Sequence, residues 1–242
     1  MFKLVLHIFF FILLSCNAKA NIWQELADGF HFRTIHHKKN GQTIPLQVLK
    51  LDPKKVSIKP LHDSNGKTAR EFVLSSQALA VVNANFFDTD GKILGLVKID
   101  GKKIHSLKNI SWWSVFCLQN NKASIYHQSQ HKPGMCKQAI QAGPRLVVNG
   151  KIPKLKTKSS RKTAIGINLR GEVIIAVSGL AIPIQDLAQL FLKPEKQGGL
   201  GCLNAMNLDG GSSTQMYLKT DDYINSVASF IKVPVGLGVF KK

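Results

Sequence analysis

The chain has 242 residues, 44% of them hydrophobic and 19% charged, which supplies a sizeable core and excludes a disordered polyelectrolyte. Its net charge of +19, from 33 Lys and Arg against 14 Asp and Glu, favours polyanionic surroundings: anionic envelope surfaces, phosphate-bearing glycans or nucleic acid. The basic residues fall in short clusters (Lys38-Lys39, Lys54-Lys55, Lys102-Lys103, Lys151 to Lys162, Lys241-Lys242) without interleaved aromatics, which reads as a solvated basic surface and argues against a nucleic-acid reader.

The first element is a leader over residues 1–20. Lys3 precedes an apolar run from Leu4 to Leu14 that is too short for a comfortable membrane span and reads as a secretory signal. Ala18-Lys19-Ala20 offers a small-x-small cleavage site, leaving Asn21 as the new N-terminus. Leu13-Leu14-Ser15-Cys16 resembles a bacterial lipobox, although Leu14 is not favoured at its position, so cleavage after Ala20 is the preferred reading. Either exit implies an exported protein, periplasmic or secreted, and lipid-anchored if Cys16 is acylated. No transmembrane span is expected in residues 21–242, which read as one domain.

Thr68-Ala69-Arg70-Glu71 has capping-box spacing and is followed by Phe72, Val73 and Leu74, predicting a helix to about Gln77. Val81 to Phe87 and Leu94 to Ile99 predict strands, and Asp100-Gly101 turns the second into Lys102-Lys103-Ile104. Asn120-Asn121 joins Ser114–Leu118 to Ala123–Tyr126, and Asn149-Gly150 follows the strand-like Arg145–Val148 as another hairpin signal. Thr163–Ile167 and Glu172–Val177 flank Arg170-Gly171. Ile184 to Leu192 has helical spacing after Pro183 and is ended by Pro194 and Gly198-Gly199. Cys202 to Met206 alternates like a strand and delivers Asp209 into a Gly-Gly turn. The sum is an α+β fold with an extensive, largely antiparallel sheet and a few covering helices. Cys117 and Cys136 flank a polar hairpin-like stretch and read as a disulfide pair, and Cys202 reads as a buried free thiol.

Four motifs sit at strand ends or turns. In Asn83-Ala84-Asn85-Phe86-Phe87-Asp88, paired amides and a carboxylate either grip a sugar or satisfy nearby backbone groups. Gly143-Pro144-Arg145 and Arg161-Lys162-Thr163-Ala164 each set an Arg at a strand entrance, facing solvent or a carboxylate, or gripping a phosphate with its planar fork. In Asp209-Gly210-Gly211-Ser212-Ser213-Thr214, two glycines admit a ligand to the backbone and three hydroxyls follow, although a plain turn also uses Asp-Gly. Asp88-Thr89-Asp90-Gly91 begins like a calcium loop but lacks the remaining ligands, so it reads as a turn. His36-His37 and His127/His131 lack metal-site context, and there is no C-x-x-C, G-x-S-x-G or Walker phosphate loop.

Together, in this order, the four motifs resemble those of the phosphodiester glycosidase domain family over roughly Val81 to Val235. The resemblance implies cleavage of a sugar 1-phosphodiester at the anomeric carbon, releasing free sugar and a phosphomonoester. It carries site roles to Asn85, Asp88, Arg145, Arg161 and Asp209 to Thr214. This chain departs from the family in having Asn85 where many members have Gly, and Lys162 within what is often a Pro-Arg-Thr-Ala pattern. On this reading Arg145 and Arg161 hold the phosphate, helped by Gly210, Gly211 and the hydroxyls of Ser212, Ser213 and Thr214. Asp209 stabilises the anomeric charge, attacks it or activates water, and Asp88 is the candidate second carboxylate. A divalent cation shared by Asp88, Asp90 and Asp209 stays open, with no spacing that demands it. Two other readings remain: a non-catalytic glycan- or phosphate-binding envelope protein, and a general phosphodiesterase or nuclease.

Overall fold

Along the strand Val173–Pro183, Val173, Ile175 and Val177 enter one apolar core while Ile174 and Ala176 enter another. Side chains alternate faces along a strand, so this element is apolar because both of its faces are covered. The structure is a computed structural model that describes residues 23–242, and the leader with its two exits lies outside the described residues. Val173–Pro183 is the middle strand of a seven-stranded sheet, in the order Gln24–Ala27, Phe30–Lys39, Gln42–Leu51, Val173–Pro183, Ser159–Asn168, Cys202–Asn207, Arg145–Val147. Every pairing in it is antiparallel.

Two five-stranded antiparallel sheets pack against it. One runs Lys122–His127, Ser114–Gln119, Gln138–Ala142, Val97–Ile99, Lys102–His105, and the other Ile224–Val227, Met216–Lys219, Ala80–Asn83, Val233–Lys241, Val56–Lys67. The main core draws on all three: Leu49, Ile165 and Met206 from the first, Phe116 and Ile140 from the second, Val82 and Leu237 from the third. Helix α1 (Ala69–Ser76) covers the outside of the third sheet through Phe72 and Val73 against Val81. Its start is a closed capping box, with Glu71 N donating to Thr68 Oγ1 at 3.2 Å and Thr68 N to Glu71 Oε2 at 2.7 Å. Helix α2 (Ile184–Leu192) covers the outside of the seven-stranded sheet with Leu187, Ala188 and Phe191. Among the described residues no helix is long and apolar enough to cross a membrane.

The architecture is the expected α+β arrangement. Asp100-Gly101 and Asn120-Asn121 make their hairpins, all four residues having positive φ as a type I′ turn requires. Cys117 is bonded to Cys136, and Cys202 is a buried free thiol. Three expectations need correction. The Val81–Phe87 strand breaks after Asn83, because Ala84 donates to Val235 O at 3.1 Å and accepts from Asp209 N at 3.0 Å. The Leu94–Ile99 strand breaks at Gly95, whose φ of +90° and proximity to Gln141 Oε1, 2.8 Å from where a Cβ would stand, suit glycine alone. After Arg145–Val147, Asn149-Gly150 makes only a single bridge between Val148 and Lys151, since Gly150 N pairs with Leu203 O at 2.8 Å.

Candidate active site

Asn83 ties the separate motifs together. Its Nδ2 donates to Asp209 O at 2.7 Å, and its Oδ1 accepts from Thr163 Oγ1 at 2.6 Å and Gln215 N at 3.1 Å. Backbone bonds complete the junction: Leu208 N to Thr163 O at 2.8 Å, Asp209 N to Ala84 O at 3.0 Å, and Asn207 N to Pro144 O at 2.9 Å. Four strand ends remote in sequence therefore meet beneath one turn. Asn83 is fully buried, and its amide completes a junction that main-chain groups alone leave unsatisfied.

Asp209 emerges half-buried from this junction. Burial pushes its carboxyl pKa up, while hydrogen bonds from Ser213 and from Gly210 N, 2.8 Å from Oδ1, oppose the shift. The turn that follows needs its glycines for two reasons. A Cβ on Gly210 would lie 3.0 Å from Arg161 O, and Gly211 has a φ of +63° with nothing within 4 Å of where a Cβ would stand. Gly211 thus leaves open backbone beside the carboxylate.

A cleft of about 610 Å³ opens over this turn. Its floor is Asn207, Asp209, Gly210 and Gly211, one wall carries Phe86 and Trp112, and the other carries Ser160, Lys162 and the lysines at 154, 156 and 158. Trp112 is 52% exposed and sits edge-on to Phe86 at 6.4 Å, while Trp113 stacks on the back of Phe86 at 5.1 Å. Gly143 lets this wall approach, since a Cβ there would lie 2.7 Å from Trp112 O. Lys162 is 4% exposed and donates from Nζ to Ser160 Oγ. Burial first, then the like charge of Lys158, lowers its pKa. Asn207 is 6% exposed, and its Oδ1 has no partner among the described residues. An aromatic wall, a carboxylate and a basic wall can hold, respectively, an apolar sugar face, a developing positive charge and an anion.

The sequence-derived site residues divide sharply. Asp209, Gly210 and Gly211 line the cleft. Arg161 does not grip a ligand with its outer nitrogen, because Nη2 donates to Thr214 O at 2.7 Å and Ala228 O at 2.6 Å and so braces the turn. A register shift between Ser160 and Lys162 interrupts the ladder here, and Lys162, not Arg161, faces the cleft. Asn85 is buried, with Nδ2 donating to Leu94 O, Leu96 O and Gln141 O at 3.3, 3.2 and 3.0 Å, so it pins a loop. Asp88 caps its own turn, accepting from Asp90 N at 3.1 Å and Lys92 N at 2.8 Å, away from the cleft lining. Arg145 is half-buried opposite Met206 and also lies outside the lining. Ser212 is exposed, whereas Ser213 and Thr214 are buried beneath the turn. Among the described residues no three His, Cys, Asp or Glu side chains gather as a metal site, so Asp88, Asp90 and Asp209 do not form one. Phe86 and Trp112 were not singled out from sequence, and the cluster Lys151 to Lys162, read there as solvated surface, supplies Lys154, Lys156, Lys158 and Lys162 to the cleft lining. The adjacent Trp112-Trp113 in a polar loop was the available signal for the aromatic wall.

Comparisons with known proteins bear on the fold and the family. The catalytic domain of zebrafish N-acetylglucosamine-1-phosphodiester α-N-acetylglucosaminidase, auto-inhibited by its pro-peptide, shares the fold with a TM-score of 0.65. It is 16% identical over 88% of this chain and 82% of that one. A hypothetical protein from Synechocystis is similar at TM-score 0.60 and 15% identity, over 89% of this chain but only 63% of that one. A Burkholderia pseudomallei protein described as exported is similar at TM-score 0.56 and 12% identity, over 82% and 74%. No curated protein matches by sequence. A sequence model of the phosphodiester glycosidase family matches residues 76–240, a span that holds Asn83, the aromatic wall, the lysine tract and Asp209, and the chain belongs to that family.

Proposed function

We propose that the cleft hydrolyses a sugar 1-phosphodiester at its anomeric carbon. What supports this reading is one juxtaposition in a member of this family: Asp209 shares a cleft with the buried cation Lys162 and the exposed Trp112. The sugar lies against Phe86 and Trp112, and its phosphate lies toward Lys162 and the open backbone at Gly211. Water adds to the anomeric carbon as the bond from that carbon to the phosphate oxygen breaks, its electron pair leaving with the phosphate. Asp209 faces the developing positive charge and accepts the water's proton. The leaving phosphomonoester is already a stable anion, so cations serve it better than an acid does, and one carboxylate suffices.

The zebrafish neighbour is named for cleavage of an N-acetylglucosamine 1-phosphodiester, and the same class of bond is proposed here. Export is proposed with it, on the leader reading, the Cys117–Cys136 disulfide and the Burkholderia neighbour's description. Incubating the purified protein with a panel of sugar 1-phosphodiesters tests the assignment. Free reducing sugar with a phosphomonoester is the expected product pair. Sugar phosphate would instead mark attack at phosphorus, as in a nuclease. Saturable binding without turnover would mark a binding protein, and full activity in Asp209→Asn would remove Asp209 from the chemistry.

A further inference from the structure

The cleft carries more positive charge than one phosphodiester uses. A single phosphodiester is a monoanion, yet Lys154, Lys156, Lys158 and Lys162 all line the cleft against the lone carboxylate Asp209. None of these lysines is neutralised from within. The ion pairs of the described residues engage Lys39, Lys50, Lys55, Lys67, Lys232 and Lys241 instead. Lys162 is buried with only Ser160 as partner, and its nearest charged influence is the like charge of Lys158. The other three are exposed, on a stretch outside helix and strand that is tied to the core at intervals. Leu155, between Lys154 and Lys156, packs with Ile152 against the core beneath α2, which fixes the tract along the cleft wall. Unpaired like charges held in one concavity repel each other and focus their field on whatever enters.

We propose that the substrate carries a second phosphate beside the scissile phosphodiester, held by Lys154, Lys156 and Lys158, as in a chain of phosphodiester-linked units. Assigning the first phosphate to Lys162 rests on the glycosidase reading, whereas the demand for a second anion rests on the charge count. Two esters of N-acetylglucosamine 1-phosphate serve as probes, one with methanol and one with glycerol 3-phosphate. Their affinities are measured by calorimetry on Asp209→Asn at low salt, and their kcat/KM values on the unaltered protein.

The glycerol phosphate ester is expected to bind and react about tenfold better, since three exposed lysine contacts contribute only tenths of a kcal/mol each. Raised salt removes that ratio. The triple variant Lys154→Gln, Lys156→Gln, Lys158→Gln brings it close to one. Removing as much charge elsewhere, with Lys38→Gln, Lys54→Gln and Lys122→Gln, leaves it intact. Equal affinity for both esters, no binding of either, or loss of the ratio in the remote triple variant overturns the proposal. An intact affinity ratio with no hydrolysis of either ester overturns the glycosidase reading and retains the polyanion site.

Discussion

Asp209 and Lys162 are opposite charges displaced in opposite directions by the same cause. Burial raises the carboxyl's pKa and lowers the ammonium's, because each loses hydration as an ion. For Asp209 the linkage sign follows directly. Its folded pKa exceeds its unfolded value, so the folded state holds the proton more tightly and stability falls as pH rises through that interval. Asp209→Asn is therefore expected to raise Tm at neutral pH, with the difference vanishing below the ordinary carboxylate range, as thermal melts across pH will show. The same variant should lose about 10²- to 10⁴-fold in turnover if Asp209 takes the water's proton. The acid limb of kcat/KM should lie above that of an ordinary aspartate. Arg161 has the contrary profile. Replacing it with Met strands the carbonyl of the buried Thr214, at about 1–3 kcal/mol, while the carbonyl of the exposed Ala228 can turn to water. Urea unfolding should register that loss, while the affinity for inorganic phosphate stays within about twofold because Nη2 is already occupied by the protein's own carbonyls.

At the scale of elements, local chemistry explains most of what was legible. Thr68 and Glu71 close the box that starts α1 whatever surrounds them, and Asp100-Gly101 and Asn120-Asn121 adopt positive φ for reasons internal to two residues. The Val81–Phe87 break was illegible, because it depends on Ala84 finding partners in Val235 and Asp209, more than 100 residues downstream. The aromatic wall is likewise an agreement between distant elements. Gly143→Ala would push a Cβ to 2.7 Å from Trp112 O and 3.1 Å from Trp113 Cα, both backbone atoms with little freedom to yield. Overpacking of this kind costs about 1–3 kcal/mol, and here it displaces a wall assigned to the sugar. A rise in KM larger than the fall in kcat, with a changed Trp emission spectrum, is the expected result.

At the scale of the molecule, three antiparallel sheets share one core, and α1 and α2 close two of the outer faces. The disulfide belongs to a separate apolar cluster with Leu96, Val115 and Ala139 in a five-stranded sheet, at a distance from the cleft lining. Its contribution is therefore to stability. For Cys117→Ser with Cys136→Ser, the 19-residue separation predicts a loss of about 3 kcal/mol. A lower denaturation midpoint with turnover retained at 25 °C checks it; lost turnover in a still-folded protein would tie this sheet to the cleft. The cleft itself uses the basic composition selectively: of many lysines, those at 154, 156, 158 and 162 line its wall.

Read by itself, the sequence determined the α+β class, the capped start of α1, the tight hairpins, the cysteine pairing and the motif set whose order marks the family. Each rests on spacing, turn chemistry or residue type within a short window, which local sterics and hydrogen bonding decide. Asp209-Gly210-Gly211 was legible as a turn, but its place on the cleft was not, since a plain turn also uses Asp-Gly. Only the tertiary structure decided the rest. Asn83 and Asn85 turned inward because strand ends from other sheets left them backbone groups to satisfy. Arg161 turned to the carbonyls of Thr214 and Ala228, and the register shift beside it brought Lys162 into the cleft. Which of two neighbouring cations meets the ligand is settled by the partners that distant segments present, and those partners exist only once the sheets have packed.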